Sequence, residues 1–156
     1  MDWGLLASTA LGAVIGIVTT LAADHLRAKR SREERDETAR QQLYGEYLAA
    51  LARTRNHIRT AARDGGLPAD ERARAAAAAF HESNAYELRY QIAVVASKDV
   101  VETSTRAFRA LRDLRDQVEE GALHTDQAYV DARLRWDLLL AELRVTMRRD
   151  LNREAF

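Results

Sequence analysis

The first 23 residues differ from the rest of the chain in their pattern of apolar and polar positions. The run from Trp3 to Ala23 holds no charged residue, and Asp2 and Asp24 stand at its two ends. As a helix this run would be about 31 Å long, which matches a bilayer hydrocarbon core of about 30 Å. The pattern therefore predicts a transmembrane anchor over residues 1–23 that carries the remaining chain.

A cleaved signal peptide is the alternative for the same run. Signal peptides begin with a basic segment, have a shorter apolar core and end in small residues at the cleavage site. Met1 and Asp2 bring no basic side chain, and Leu21 stands where a cut after Ala23 needs a small residue. Ala22 and Ala23 are themselves small, which leaves cleavage open. The membrane span is the interpretation that we favour.

Basic residues follow the apolar run, and none precedes it. The cluster consists of Arg27, Lys29, Arg30 and Arg32. Because Lys and Arg next to a span stay on the cytoplasmic side, we predict a single-pass protein of the cell membrane. Its N-terminus would lie outside and its C-terminal domain in the cytoplasm. The cluster would also attract anionic lipid headgroups, at about 1 kcal/mol per residue, although we favour a simple topology signal over specific lipid recognition.

Small residues recur at every fourth position of the span. They are Gly4, Ser8, Gly12, Gly16 and Thr20. Residues four apart share one helix face, and a face without bulky side chains lets a second helix approach closely. We therefore expect this face to associate helices, so that the protein is a homo-oligomer. The general richness of the chain in Ala and Gly is the competing explanation.

Residues 24–42 are charged on all sides and contain neither Gly nor Pro. Opposite charges recur four residues apart, as in Lys29–Glu33 and Arg32–Asp36, and such pairs stabilise exposed helices. This segment predicts a helical stalk continuous with the span.

Apolar stripes at spacings of three and four begin at residue 43 and predict amphipathic helices. The first helix ends at the turn signal Asp64-Gly65-Gly66-Leu67-Pro68, and its stripe is Tyr44, Tyr47, Leu48, Leu51, Ile58, Ala61 and Ala62. The second starts near Pro68, and its face is Ala73, Ala77, Phe80, Asn84, Leu88, Ile92 and Val95. Asn84 on this face would be either a buried polar residue that fixes register or a rim position.

A strand is the alternative for part of the second helix. Tyr86, Leu88, Tyr90, Ile92 and Val94 alternate with a period of two, which is typical of a half-buried strand. No other segment offers a partner strand, and an isolated strand is not stable. We therefore favour a helix here.

Two further helices complete the domain. Ser97 would cap the third helix and Gly121 would end it, with a stripe of Val100, Ser104, Ala107, Leu111, Leu114 and Val118 that Val101 and Phe108 widen. Thr125 would cap the last, whose face is Tyr129, Ala132, Trp136, Leu139, Leu140, Leu143, Met147 and Leu151. Short connections make neighbouring helices antiparallel. The sequence thus predicts an all-α fold, with a three- to four-helix bundle over residues 43–156.

Composition and motifs point away from enzymatic chemistry. Basic and acidic residues balance at 24 each, so no net field favours nucleic acid. The chain has no Cys, which excludes disulfides, thiol catalysis and Cys-ligated metals. His81-Glu82 begins like a zinc HExxH motif, but Ala85 replaces the second His. We expect no catalytic residue, no metal site and no cofactor.

The chain also resembles a family of small, uncharacterised single-pass membrane proteins of the actinobacterial type. The matching pieces are LYGEYLAAL at 43–51, IAVVASKDVVE at 92–102 and MRRDLN at 147–152. The resemblance implies a membrane span with a cytoplasmic helical bundle and assigns no activity or functional residue.

Two functions remain open at this stage. The favoured one is a non-enzymatic, cytoplasm-facing scaffold module that self-associates and binds a protein partner still to be identified. The alternative is a pore-forming assembly of the glycine-striped spans. A pore needs a polar stripe along the span, and only Ser8, Thr9, Thr19 and Thr20 offer one.

Overall fold

The computed structural model describes residues 35–153. The chain divides into two compact units, Met1–Ala39 and Arg40–Phe156. Residues 35–39 of the first unit are helical. The predicted anchor, its glycine face and the basic cluster at 27–32 lie outside the described residues and stay predictions. Between residues 35 and 153, no helix is both long enough and apolar enough to cross a membrane.

The described chain is all-helical, as predicted, and contains no strand between residues 35 and 153. In chain order the helices are α1 at 35–63, α2 at Ala69–Glu82, α3 at Ala85–Val95, α4 at Lys98–Glu119 and α5 at Gln127–Arg153. The helix favoured over a strand for residues 86–94 is therefore confirmed. The α1–α2 turn falls at the predicted Gly65-Gly66 signal.

Helix α4 lies at the centre of the bundle and packs against α5, α2 and α3. Every residue of its predicted stripe is buried except Val101, which is half-buried. Most of the stripes predicted for α1 and α5 are buried too, and Tyr47, Leu51 and Leu143 are completely so. The half-buried members, which pack against the edge of the core, are Leu48, Ala132, Leu139 and Leu151. One continuous core joins them.

The prediction of one helix from residue 69 to residue 95 is wrong. The chain breaks at Asn84, which adopts a left-handed backbone conformation with φ 57° and is exposed. Asn tolerates this conformation better than most residues do. The Ser83 hydroxyl supports the break, since it donates to the Phe80 carbonyl at 3.1 Å and accepts from the Ala85 N–H at 3.3 Å.

The break changes which residues of α2 and α3 face the core. In α2, Ala76 and Ala79 are buried, whereas the predicted Ala73 and Ala77 are only half-buried. In α3, Leu88 and Ile92 are buried as predicted, and Val95 is exposed. Of the predicted face, α3 therefore keeps Leu88 and Ile92 in the core and leaves Val95 in solvent.

The predicted helix ends are partly correct. Gly121 adopts φ 100° directly after α4, and the Ala122 N–H donates to the Gln117 carbonyl at 2.9 Å, which is a Schellman ending. Ser97 precedes α4 as predicted, although its side chain makes no capping hydrogen bond.

Thr125 does not cap the last helix. Asp126 immediately precedes α5 instead, and its carboxylate accepts from the Leu123 N–H at 2.8 Å. The Asp126 carbonyl accepts from the Val130 N–H at 3.0 Å, which is the first bond of the helix.

Three hydrogen bonds fasten the loops at one end of the bundle. The buried Arg72 guanidinium donates to the Leu67 carbonyl at 2.8 Å and to the Gly121 carbonyl at 2.9 Å. The His124 N–H donates to the Ala62 carbonyl at 3.0 Å. The α1–α2 and α4–α5 loops are thereby held together.

Candidate functional site

The outer face of α5 carries a second apolar stripe, opposite the one that packs in the core. It consists of Leu134, Leu138, Ala141 and Val145, all of which are exposed, and Leu138 is 73% exposed. Each residue turns a helix by about 100°, so a position two residues from Leu138 points about 200° away from it. That is where the buried Trp136 and Leu140 lie. Within residues 35–153 the stripe is thus unpartnered.

The spacing of this outer stripe is that of a coiled-coil seam. The intervals of four, three and four place Leu134 and Ala141 at d positions and Leu138 and Val145 at a positions of a heptad. A heptad seam buries its a and d residues against another helix, whereas e and g residues flank the seam.

Charged residues occupy the flanks of the stripe. Arg135 and Glu142 fall at e positions, and Asp137 and Arg144 at g positions. All four are exposed. Glu142 also pairs with Arg106 of α4, and this hydrogen bond raises the pKa of the Arg106 guanidinium.

Helix α3 presents a different apolar surface, made of Tyr86, Tyr90 and Val94. Val94 is 84% exposed, and the two Tyr hydroxyls hydrogen-bond to each other at 2.9 Å. That bond raises the pKa of the Tyr86 hydroxyl. The Arg89 guanidinium lies 5.3 Å from the centre of the Tyr90 ring and 5.0 Å from that of Phe108. Stacking with Arg fixes these rings, and surfaces of this composition are common in protein interfaces.

A polar cavity of about 230 Å³ lies between α4 and α5. Its lining includes Asp99, Glu102, Arg106, Glu142 and Asp150. Asp150 is only 6% exposed and accepts a hydrogen bond from Tyr44 at 2.6 Å, with Arg40 3.9 Å away. Several of its charged groups are thus paired within the protein, which indicates a structural network. Among residues 35–153 no group of three or more His, Asp or Glu side chains is placed to hold a metal.

The candidate surfaces on α3 and α5 were not singled out by the sequence reasoning. The sequence does contain the α5 pattern, since the apolar positions 134, 138, 141 and 145 repeat at heptad intervals. The same helix also carries a longer apolar stripe that packs in the core, and that stripe is recognised first. The α3 surface could not be recognised as exposed while α2 and α3 were read as one helix.

Comparisons with protein-family models, with curated proteins and with solved structures found no match for this chain. The resemblance to the actinobacterial-type membrane family therefore remains a prediction.

Proposed function

We propose that this protein is a non-enzymatic helical scaffold module that self-associates through the outer stripe of α5. The anchor at 1–23 would hold it in the cell membrane, and the stalk at 24–42 would carry the bundle on the cytoplasmic side. The observation that carries the proposal is the exposed heptad seam of Leu134, Leu138, Ala141 and Val145 on the outer face of α5. Burying such side chains is favourable by about 25 cal/mol per Å² of apolar surface.

The flanking charges favour an antiparallel arrangement of two copies. When Leu134 of one copy faces Val145 of the other, Leu138 faces Ala141. In this antiparallel arrangement e positions face e positions of the second copy, and g positions face g positions. Arg135 then faces Glu142 of the second copy, and Asp137 faces Arg144. Twofold symmetry repeats each pair, so four opposite-charge pairs form.

Other arrangements bring like charges together. In a parallel pair, g positions face the e positions of the second copy, so that Asp137 meets Glu142 and Arg144 meets Arg149. An antiparallel shift by one heptad sets Glu142 against itself and Arg135 against Arg149. Exposed pairs contribute only about 0.2–1 kcal/mol each. The charges therefore select the register, and the apolar seam supplies the affinity.

The α3 surface remains available for a protein partner when α5 is engaged. Tyr86, Tyr90 and Val94 lie on a separate helix, and Arg and aromatic side chains are the ones that most often carry interface affinity. A scaffold needs two such surfaces, one for its own copies and one for the partner that it gathers.

A pair of substitutions tests whether α5 carries association. Leu138→Glu places a charge in the seam and should abolish association of the bundles in the full-length protein in detergent. Val94→Glu places the same charge on the other exposed surface and should leave association unchanged. If Leu138→Glu associates like the unsubstituted protein, the α5 seam is not the interface.

The absence of native Cys makes orientation directly measurable. In the antiparallel register Leu134 of one copy is offset from Leu134 of the other by 11 residues, or about 16 Å along the helix axis. Leu134→Cys and Val145→Cys chains should therefore cross-link when mixed, and neither should cross-link with itself. Self-cross-linking of each single variant would indicate a parallel pair and refute the register.

A further inference from the structure

Four arginines gather where α1 faces α5. Arg55, Arg59 and Arg63 follow one another at intervals of four and so share one face of α1, and Arg133 projects from α5 one turn after Tyr129. All four guanidinium groups act electrostatically on the Tyr129 hydroxyl. Arg55 also lies 5.8 Å from the centre of the Trp136 ring. The two helices thus form an arginine face around two aromatic side chains of α5.

Among residues 35–153, no carboxylate forms an ion pair with this arginine face. The ion pairs of these residues involve other arginines, such as Arg106 and Arg115. Arg55 donates a hydrogen bond to the neutral amide oxygen of Asn56, at 3.4 Å. Although the chain has equal numbers of acidic and basic residues, four arginines without an ion pair among residues 35–153 lie together here.

Buried donors beneath the arginines also lack partners. Tyr129 is 2% exposed and Trp136 is 4% exposed, and neither the Tyr129 hydroxyl nor the Trp136 Nε1–H makes a hydrogen bond. The buried Nε–H of Arg55 is unpaired as well. An unsatisfied buried polar group is destabilising, so proteins seldom keep several at one place without a use for them.

We infer that the arginine face, with Tyr129 and Trp136, is a binding site for a phosphate group carrying two negative charges. Guanidinium groups bind phosphate through paired, charge-assisted hydrogen bonds, and several of them offset the charge of a dianion. Arg59 and Arg133 are half-buried and Arg63 is exposed, so their donors are reachable from solvent. A small displacement of these side chains would expose the Tyr129 hydroxyl to a phosphate oxygen.

This site is independent of the α5 seam. Tyr129 and Trp136 belong to the core side of α5, and the seam residues Leu134 and Leu138 belong to its outer side. Phosphate recognition therefore adds a ligand to the proposed scaffold without depending on its self-association. The phosphate could be that of a soluble compound or that of a lipid headgroup.

The fluorescence of Trp136 can report phosphate binding at this site. In a full-length Trp3→Phe background Trp136 is the only Trp of the chain, and its ring adjoins Arg55. We expect pyrophosphate to change its fluorescence saturably, beyond the effect of sodium chloride at equal ionic strength. The Arg59→Gln/Arg133→Gln double variant should weaken binding at least tenfold. Tyr129→Phe should weaken it several-fold, since it removes only the hydroxyl.

A matched control and a second probe decide the outcome. Arg109→Gln/Arg112→Gln removes two exposed charges from α4 and should leave the titration unchanged. Vesicles containing phosphatidic acid replace pyrophosphate in a parallel titration. A response to vesicles alone assigns the site to a lipid phosphate, and a response to pyrophosphate assigns it to a soluble one. No saturable response to either probe, or equal binding by the Arg59/Arg133 and Arg109/Arg112 variants, would overturn the inference.

Discussion

Two tyrosines one turn apart on α1 allow a quantitative test of the buried polar network. The Tyr44 hydroxyl donates to the Asp150 carboxylate at 2.6 Å, and both residues are buried. The Tyr47 hydroxyl donates to the Ser104 carbonyl at 3.4 Å, close to the limit for a hydrogen bond. The substitutions Tyr44→Phe and Tyr47→Phe remove the same atom from equally buried rings. The difference between them therefore reports the value of the carboxylate bond.

We expect Tyr44→Phe to cost about 2 kcal/mol. A hydrogen bond to a charged group contributes about 1.5–3 kcal/mol, and the buried Asp150 would keep Arg40 as a partner only at 3.9 Å. Tyr47→Phe should cost less than about 0.5 kcal/mol, because its bond is long and neutral. Burial also raises the pKa of the Tyr47 hydroxyl, opposed in part by the Arg89 guanidinium, so its removal involves no charged group at neutral pH.

Thermal unfolding of the full-length protein in mild detergent, followed by circular dichroism at 222 nm, measures the difference. At roughly 4 °C per kcal/mol, the Tyr44→Phe midpoint should fall by about 8 °C and the Tyr47→Phe midpoint by at most about 2 °C. Equal midpoints for the two variants would refute the reasoning. The Tyr44–Asp150 bond would then contribute no more than an ordinary neutral contact.

Three other outcomes follow from the structure, and a fourth tests the topology predicted from the sequence. Leu111→Ala, at a completely buried position of α4, should destabilise the bundle by about 2–5 kcal/mol, which a denaturant titration will measure against an exposed Val94→Ala control. Asn84→Val should cost about 1–2 kcal/mol because a β-branched residue resists positive φ, whereas Asn84→Gly should not lower the melting midpoint. Without a phosphate ligand, Tyr129→Phe should keep or raise the midpoint, because it removes an unpaired buried hydroxyl; a fall of several degrees would show that the hydroxyl has a partner. A reporter enzyme active only outside the cytoplasm should be inactive when fused after Phe156, and activity there would refute the predicted topology.

The helices of the core could be read from the sequence because their patterns were strong and local. In α4 a stripe at regular intervals lies between Ser97, whose backbone is extended, and Gly121, whose positive φ follows the end of the helix. The second predicted helix failed because its apolar period continues through Asn84. A continuous helix and a helix broken by one left-handed residue give nearly the same pattern there, and only packing distinguishes them.

The candidate sites were hidden for other reasons. The arginine face requires Arg55 and Arg133 to meet, and these residues are 78 positions apart, so that no local pattern brings them together. The outer seam of α5 is a weaker stripe on a helix that already has a strong one. When one apolar face is assigned to each helix, α5 is assigned its core face, and the outer face with Leu138 is not recognised.

The hydrogen bonds of Arg72 and His124 at one end of the bundle restrict the lengths of the α1–α2 and α4–α5 loops. Both residues bond to main-chain carbonyls, at Leu67, Gly121 and Ala62, and every residue type supplies such a carbonyl. Most side chains of the two loops are therefore free to change, apart from Gly121 with its positive φ and Asp126 with its bond to Leu123. An inserted or deleted residue, by contrast, would move the acceptors away from their donors. Natural variants of these loops should differ in sequence and agree in length, and a peptide tag placed between Gly65 and Gly66 should unfasten this end of the bundle.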